Sequence, residues 1–282
     1  MNTKVDQSFQ FRLGPVTYDL SSRTHIMGVL NVTPDSFSDG GKFYTLESAL
    51  ARAREMADQG ADFLDIGGES TRPGSEPLPM EEELRRVVPV IDRLAKEVSV
   101  PISIDTYKAK IAEAALNAGA VIVNDISGST FDAEMNQVVA RHHASLVIMH
   151  MKGTPRTMQV DPHYENVVTE IAEFLHNQAA KAREAGVGQI IVDPGIGFGK
   201  NLEHNLELIK RLGAFTDLGY PLLIGPSRKS FIGMLSSLPV DQRLEGTAAA
   251  VTACILNGAN VIRVHDVKEM KRVAVIADAL KV

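Results

Sequence analysis

The chain has 282 residues, 44% of them apolar and 23% charged, with a formal net charge of -6. That is ordinary globular composition, long enough to bury a sizeable core without staples. A negative balance with no long basic block argues against a nucleic-acid partner. The single cysteine, Cys254, excludes an internal disulfide framework, and no apolar run reaches the roughly 20 residues of a membrane helix.

Residues 1–10 are polar and carry no apolar signal core, so a cytoplasmic protein is expected. Residues 9–20 alternate and contain Gly14-Pro15, which predicts that the region 1–22 forms a β-hairpin plugging the bottom of a barrel. Eight short apolar runs come next, at 26–32, 63–66, 101–104, 121–123, 145–149, 190–192, 221–224 and 261–264. They are continuous rather than alternating, as strands buried on both faces of a parallel sheet are. Helical spacing separates them, over 46–59, 80–97, 108–118, 133–142, 163–185, 202–212, 243–257 and 267–280. Gly60, Gly119, Gly186, Gly213 and Gly258 read as left-handed helix stops. Cys254 falls within the apolar stretch 248–256 and reads as a small buried hydrophobe. Eight successive units predict a (β/α)₈ TIM barrel with an N-terminal β-hairpin, one domain over 1–282. An open doubly wound sheet is the rival, and the number of units favours closure.

A barrel's chemistry sits where its strands end. Those ends carry Asn31, Asp65, Asp105, Asn124 with Asp125, His150, Asp193, Ser227, and Arg263 with His265. Any one of them alone could be a cap, but all of them together at one mouth predict a site. The four aspartates need cations, and Lys229, Arg263 and Arg72 are the candidates. No His-Glu-x-x-His spacing and no cysteine cluster appears, so a protein-only metal cage is not expected. A magnesium ion held by ligand phosphate and one side-chain oxygen stays open.

Asp193-Pro194-Gly195-Ile196-Gly197-Phe198-Gly199-Lys200 lacks the spacing of a Walker loop. Its glycines are expected to let backbone approach a flat ligand. Ser227-Arg228-Lys229-Ser230 opens a helix after the seventh barrel strand, a position that suits an anion.

Several stretches resemble one family. Residues 27–41 and 65–74 look like the two long signatures of the dihydropteroate synthases. Asn124-Asp125-Ile126, Met149-His150-Met151, the 193–200 stretch, Ser227-Arg228-Lys229-Ser230 and Arg263-Val264-His265-Asp266 come after them in the same order. The resemblance runs from about residue 25 to the end and leaves only the first 22 residues without a distinctive match. It implies a transferase that condenses 6-hydroxymethyl-7,8-dihydropterin diphosphate with 4-aminobenzoate, giving 7,8-dihydropteroate and pyrophosphate. It also implies magnesium, a homodimer and sulfonamide sensitivity. A pterin pocket is implied at Asp105, Asn124, Ile126, Met149, Asp193, Gly197, Phe198, Lys229 and Arg263. The diphosphate falls to Asn31, Thr71, Arg263 and His265, with the metal at Asn31. The aminobenzoate carboxylate falls to Ser230, and a lid of Asp35, Phe37, Thr71, Arg72 and Pro73 closes over its ring.

Because a dihydropterin is electron-rich, its methylene can carry cationic character as pyrophosphate leaves, so an SN1-like displacement without a protein nucleophile is expected. The arylamine brings its own lone pair, so no strong general base is required. Two alternatives share the pterin pocket: a pterin-dependent methyltransferase and a non-catalytic pterin-binding paralogue. The methyltransferase would not need the Thr71-Arg72-Pro73-Gly74 lid or the 227–230 anion site, and the completeness of the motifs argues against the paralogue. A sugar-phosphate aldolase would want a lysine within a barrel strand, and the eight runs contain none.

Overall fold

A computed structural model describes residues 8–33, 46–70 and 74–281. Strands β1 (Gln10–Leu13) and β2 (Val16–Asp19) form the expected antiparallel hairpin, turned by Gly14 at φ 63°. Eight parallel strands come after it: β3 (His25–Asn31), β4 (Phe63–Gly67), β5 (Ile102–Asp105), β6 (Ile122–Asp125), β7 (Ser145–Met149), β8 (Gln189–Asp193), β9 (Leu223–Ile224) and β10 (Val261–Val264). Their spatial order is β8-β7-β6-β5-β4-β3-β10-β9. A parallel bridge between Val192 and Leu222 brings β8 to β9, and the Val192 N–H donates to the Pro221 carbonyl at 3.0 Å. The result is a nearly closed (β/α)₈ barrel, as expected, and not an open sheet.

The surrounding helices are α1 (Leu46–Asp58), α2 (Met80–Glu97), α3 (Ala109–Asn117), α4 (Met135–Arg141), α5 (Val167–Glu184), α6 (Leu202–Lys210), α7 (Ser230–Ser236), α8 (Leu244–Leu256) and α9 (Val267–Ala279). Gly60, Gly119, Gly186 and Gly258 sit at φ 96°, 115°, 95° and 107°, so they terminate helices as expected. Gly213 does not. It lies inside the 3₁₀ run Leu212–Leu218, and the left-handed stop is Gly219 at φ 76°. None of the helices among the described residues is long and apolar enough to cross a membrane.

Side chains alternate across each strand, and this alternation separates floor, wall and mouth. Outward residues such as Ile26, Leu64, Ile104, Val123, Leu146, Ile190 and Ile262 join the helices in the main core. The inward residues nearest the strand starts (Met27, Phe63, Ile122, Val147, Ile191, Leu223 and Val261) form a second core with Phe11, Leu13 and Leu20 of the hairpin segment. The hairpin therefore closes the barrel floor, and each large side chain it buries contributes about 1.5–3 kcal/mol. Two residues further along, the inward position is charged or amide-bearing on five strands: Phe63 gives way to Asp65, Ser103 to Asp105, Ile122 to Asn124, Ile191 to Asp193 and Val261 to Arg263.

Candidate active site

That inward layer surrounds a narrow cleft lined by Asp105, Asn124, Ile126, Met149, Asp193, Ile196, Phe198, Gly225, Lys229 and Arg263. Arg263 organises one side. Its Nε donates to Asp65 Oδ2 and its Nη2 to Asp105 Oδ2, each at 2.6 Å. Asn124 Nδ2 donates to the same Asp65 oxygen at 2.9 Å. Asp65 is fully buried, so its charge depends on these two partners. The second oxygen of Asp105, a residue that lines the cleft, is buried with no partner in the protein.

Asp193 faces this group from β8 and accepts the Gly195 N–H at 2.7 Å. Lys229 closes the opposite side, its Nζ 4.0 Å from the centre of the Phe198 ring. Lys229 arrives there because Arg228 takes a left-handed conformation, φ 57°, which costs a non-glycine residue on the order of 1 kcal/mol. The turn is held by the Arg228 N–H on Thr247 Oγ1 (3.0 Å) and by a two-point pair of the Arg228 guanidinium with Asp266 (3.0 and 2.5 Å).

Burial pushes Asp105 up to about 7, against the pull of Arg263. Burial likewise pushes Asp193 up to about 6, opposed by the Gly195 N–H and by Lys229. Lys229 is pushed down to about 8 by burial and by Arg263. Burial opposes the Arg263 charge, but Asp65 and Asp105 hold it on. A ligand that needs both carboxylates ionised and Lys229 protonated should therefore bind best between about 7 and about 8. The kcat/KM for the ligand of this cleft is expected to rise across pH 6–7 and fall above about 8. A profile that stays flat from well below the Asp193 value to well above the Lys229 value would contradict these assignments.

At the rim, Ser227 Oγ lies 3.0 Å from His265 Nδ1 and accepts the His265 backbone N–H at 3.3 Å. The hydroxyl has both its proton and a second lone pair to offer Nδ1, so it can pair with either neutral tautomer of His265. Burial, Arg263 and Arg228 push His265 down to about 3, so in the free protein it is a neutral donor.

Two groups expected at the mouth are turned away from it by the alternation. Asn124 points inward, so Asp125 points outward. It accepts from the Ser127 N–H (2.8 Å), the Ser127 hydroxyl (2.7 Å) and the Ser129 N–H (3.0 Å) and shapes that loop. Met149 points inward, so the His150 ring lies behind the wall, edge-on to Phe174 with centroids 4.9 Å apart. The glycines of the 193–200 stretch are also corrected in part. A Cβ on Gly195 would come within 2.0 Å of the His150 carbonyl oxygen, and one on Gly199 within 2.4 Å of the Lys152 carbonyl oxygen. Those two glycines let the loop press on the chain after β7. Only Gly197 borders the cleft, where a Cβ would meet Lys229 Cδ at 2.9 Å.

Of the expected site residues, Asp105, Asn124, Ile126, Met149, Asp193, Phe198, Lys229 and Arg263 line the cleft, and Gly197 adjoins it. Asn31 ends β3, Ser230 begins α7, and His265 comes directly after β10, all at the same end of the barrel. Asp35, Phe37, Thr71, Arg72 and Pro73 lie outside the described residues, and so does the expected pairing of Arg72. Ile196 and Gly225 were missed, because neither residue type carries a chemical signal. A further cluster was also missed. Lys108 Nζ donates to Glu69 Oε2 (2.6 Å), Glu83 Oε2 (2.6 Å) and the Leu78 carbonyl (2.8 Å), tying together the two ends of the 69–78 stretch. Its carboxylates lie far apart in sequence and only the fold unites them.

Among the described residues, no group of three or more His, Cys, Asp or Glu could hold a metal ion. Asn31 offers one hard amide oxygen at the mouth, which fits a magnesium ion that takes its other ligands from phosphate and water.

The pterin-binding enzyme family matches residues 27–265. A dihydropteroate synthase from Synechocystis is 48% identical over 271 residues, which is 95% of this chain and 94% of that protein. The dihydropteroate synthase of Yersinia pestis, solved with a sulfonamide drug complex, superposes with a TM-score of 0.91 at 41% identity, covering 96% of this chain and 98% of the other. That of Xanthomonas albilineans, solved with 4-aminobenzoic acid, does so with a TM-score of 0.91 at 40% identity, covering 97% and 98%.

Proposed function

This chain belongs to the pterin-binding enzymes and, among them, to the dihydropteroate synthases, and we propose a division of labour among its residues. It condenses 6-hydroxymethyl-7,8-dihydropterin diphosphate with 4-aminobenzoate, releasing pyrophosphate. The observation that carries this reading is the cleft's polarity. Two carboxylates, one with a buried unpartnered oxygen, face a lysine across a slot whose flat walls are Ile126, Met149 and Phe198. A pterin has a donor-rich edge for Asp105 and Asp193, a carbonyl and ring nitrogen for Lys229, and two faces for the slot. Asn124 offers both amide functions, and Arg263 lies where a guanidinium can cover the ring and reach the diphosphate.

The C–O bond between the pterin methylene and the diphosphate breaks, and the pair of electrons leaves with pyrophosphate. The electron-rich dihydropterin carries the resulting positive charge, and the arylamine lone pair then forms the C–N bond. The arylamine gives its proton to the medium. No side chain acts as nucleophile; the protein's work is to bind the leaving group's charge and exclude water. Arg263, His265 and backbone amides near Thr71 do the first. A magnesium ion, when bound through the Asn31 oxygen, would neutralise diphosphate charge.

The aminobenzoate carboxylate is assigned to Ser230 at the start of α7. Asp35, Phe37, Thr71, Arg72 and Pro73 are assigned to the covering lid, with Phe37 and Pro73 on the ring. These lid and metal roles rest on the sequence resemblance. The whole chain is taken as one domain, working in the cytoplasm. A homodimer is proposed through α8 and α9, whose Leu256, Val275, Ile276 and Leu280 are exposed large hydrophobics.

The test is one assay. Purified protein, pterin diphosphate, radiolabelled 4-aminobenzoate and magnesium should yield labelled dihydropteroate. A large secondary isotope effect at the methylene should accompany turnover. No product from folded protein would sink the activity; product without the isotope effect would sink the dissociative path alone.

A further inference from the structure

We propose that Lys200 is a positioning residue for the pterin cleft: its buried amino group fastens the loop after β8 to the end of β7 and so sets where Phe198 stands. The proposal rests on the reading of the cleft as a pterin pocket.

Lys200 is 2% exposed, yet it is not among the residues that line the cleft. Its Nζ meets three acceptors, none of them a carboxylate. It donates to the Phe198 carbonyl (2.8 Å) and the His150 carbonyl (3.3 Å), and lies 3.0 Å from His150 Nδ1. Burial lowers Lys200 well below its ordinary value, and burial together with Lys200 pushes His150 down to about 2, so His150 is a neutral imidazole whose Nδ1 is paired with Nζ.

The two chain segments that Lys200 joins already lie against each other. Gly195 and Gly199 leave no room for a Cβ between the loop and residues 150–152. Tyr164 Oη donates to the Gly199 carbonyl at 2.8 Å and its ring lies against His150, centroids 6.0 Å apart. Asn205 Oδ1 accepts the Gly197 N–H at 2.7 Å. The three bonds of Lys200 add to these by fixing the Phe198 carbonyl relative to both atoms of His150.

Both segments carry cleft residues. Met149 immediately precedes His150, while Asp193, Ile196 and Phe198 precede Lys200 in the loop. The Phe198 ring in turn supports Lys229 Nζ at 4.0 Å. A shift of the Phe198 backbone would therefore move one flat wall and the opposing cation together. An apolar side chain of about equal length would fill the same space but leave the Phe198 carbonyl, the His150 carbonyl and His150 Nδ1 without this partner.

The experiment compares wild type with Lys200→Met. Binding of 6-hydroxymethyl-dihydropterin, which lacks the leaving group, is measured by calorimetry. The KM for each substrate and kcat are measured at steady state. The pterin Kd and the KM for pterin diphosphate should rise about tenfold or more, while kcat and the 4-aminobenzoate KM stay within about twofold. His150→Phe keeps the ring but removes Nδ1, and should shift pterin binding in the same sense by a smaller factor. Unchanged pterin Kd in a folded Lys200→Met, or an equal rise in both KM values, overturns the proposal. If Lys200→Met does not fold, His150→Phe decides by the same criteria. A wild-type protein that binds no pterin overturns the reading of the cleft itself, which is a distinguishable result.

Discussion

Replacing Arg263 by Met is expected to remove about 3–5 kcal/mol of stability and at least about 10³ in kcat/KM. Arg263 bonds to Asp65 and Asp105 at 2.6 Å each, and Asp65 has no access to water. Without the guanidinium, two buried carboxylates face each other with only the Asn124 amide between them and the cleft. Asp105 already sits at about 7 through burial, and losing Arg263 removes the main influence that lowers it. In a chain of this length the loss should appear as a fall in Tm of order 10 °C. A double variant, Arg263→Met with Asp65→Asn, separates the two effects. Removing one stranded charge should recover much of the Tm, yet leave kcat/KM low, because the cation proposed to bind the diphosphate is still missing. If the double variant regains no stability, the buried-charge explanation is wrong. If it regains activity, Arg263 has no role in the reaction.

Gly195→Ala is expected to be nearly as damaging, for a reason of shape rather than charge. Its φ of 72° costs any L side chain about 1–2 kcal/mol. The added Cβ would also lie 2.0 Å from the His150 carbonyl oxygen, so one of the two segments must move. Overpacking of that kind adds about 1–3 kcal/mol. Since the displaced segments carry Met149, Asp193 and Phe198, pterin binding should weaken by about 100-fold or more. Two controls isolate the cause. Gly74→Ala keeps the positive φ, 80°, with nothing within 4 Å, and its fall in Tm, the readout compared because Gly74 adjoins the proposed lid, should show the backbone strain alone. Gly188→Ala has neither positive φ nor a neighbour, and should be neutral or slightly stabilising. Equal effects at positions 195 and 74 would show that the overlap with His150 relaxes at no cost.

Much of the site could be read from the chain because the period of a strand is two. Once the apolar runs are taken as parallel barrel strands, their last residues must converge at one end, and Asp105, Asn124, Asp193 and Arg263 do. The same period could not be phased from sequence alone. Nothing local says whether Asn124 or Asp125, Met149 or His150, faces inward, because both neighbours are polar or both are plausible in either role. Phase is set by the floor: Ile122 and Val147 pack on Phe11 and Leu13 of the hairpin segment, and inward positions then recur at every second residue.

The glycines show the same limit. A glycine-rich stretch signals close approach, but not of what to what. At Gly195 and Gly199 the approaching partner is the protein's own backbone at 150 and 152, and only at Gly197 is it the cleft.

By itself, then, the sequence determined the barrel, its floor hairpin, the mouth as the place of chemistry and, through its ordered motifs, the family. These are consequences of local periodicity and of residue identity, which a linear chain displays. Only the tertiary structure decided which charges neutralise which. Arg263 meets Asp65 across 198 positions and Asp105 across 158, and Lys200 meets His150 across 50. Closing the barrel brings the first and last strands close together, and a buried charge is then partnered by whatever that closure places within bonding distance, a proximity that sequence separation does not encode.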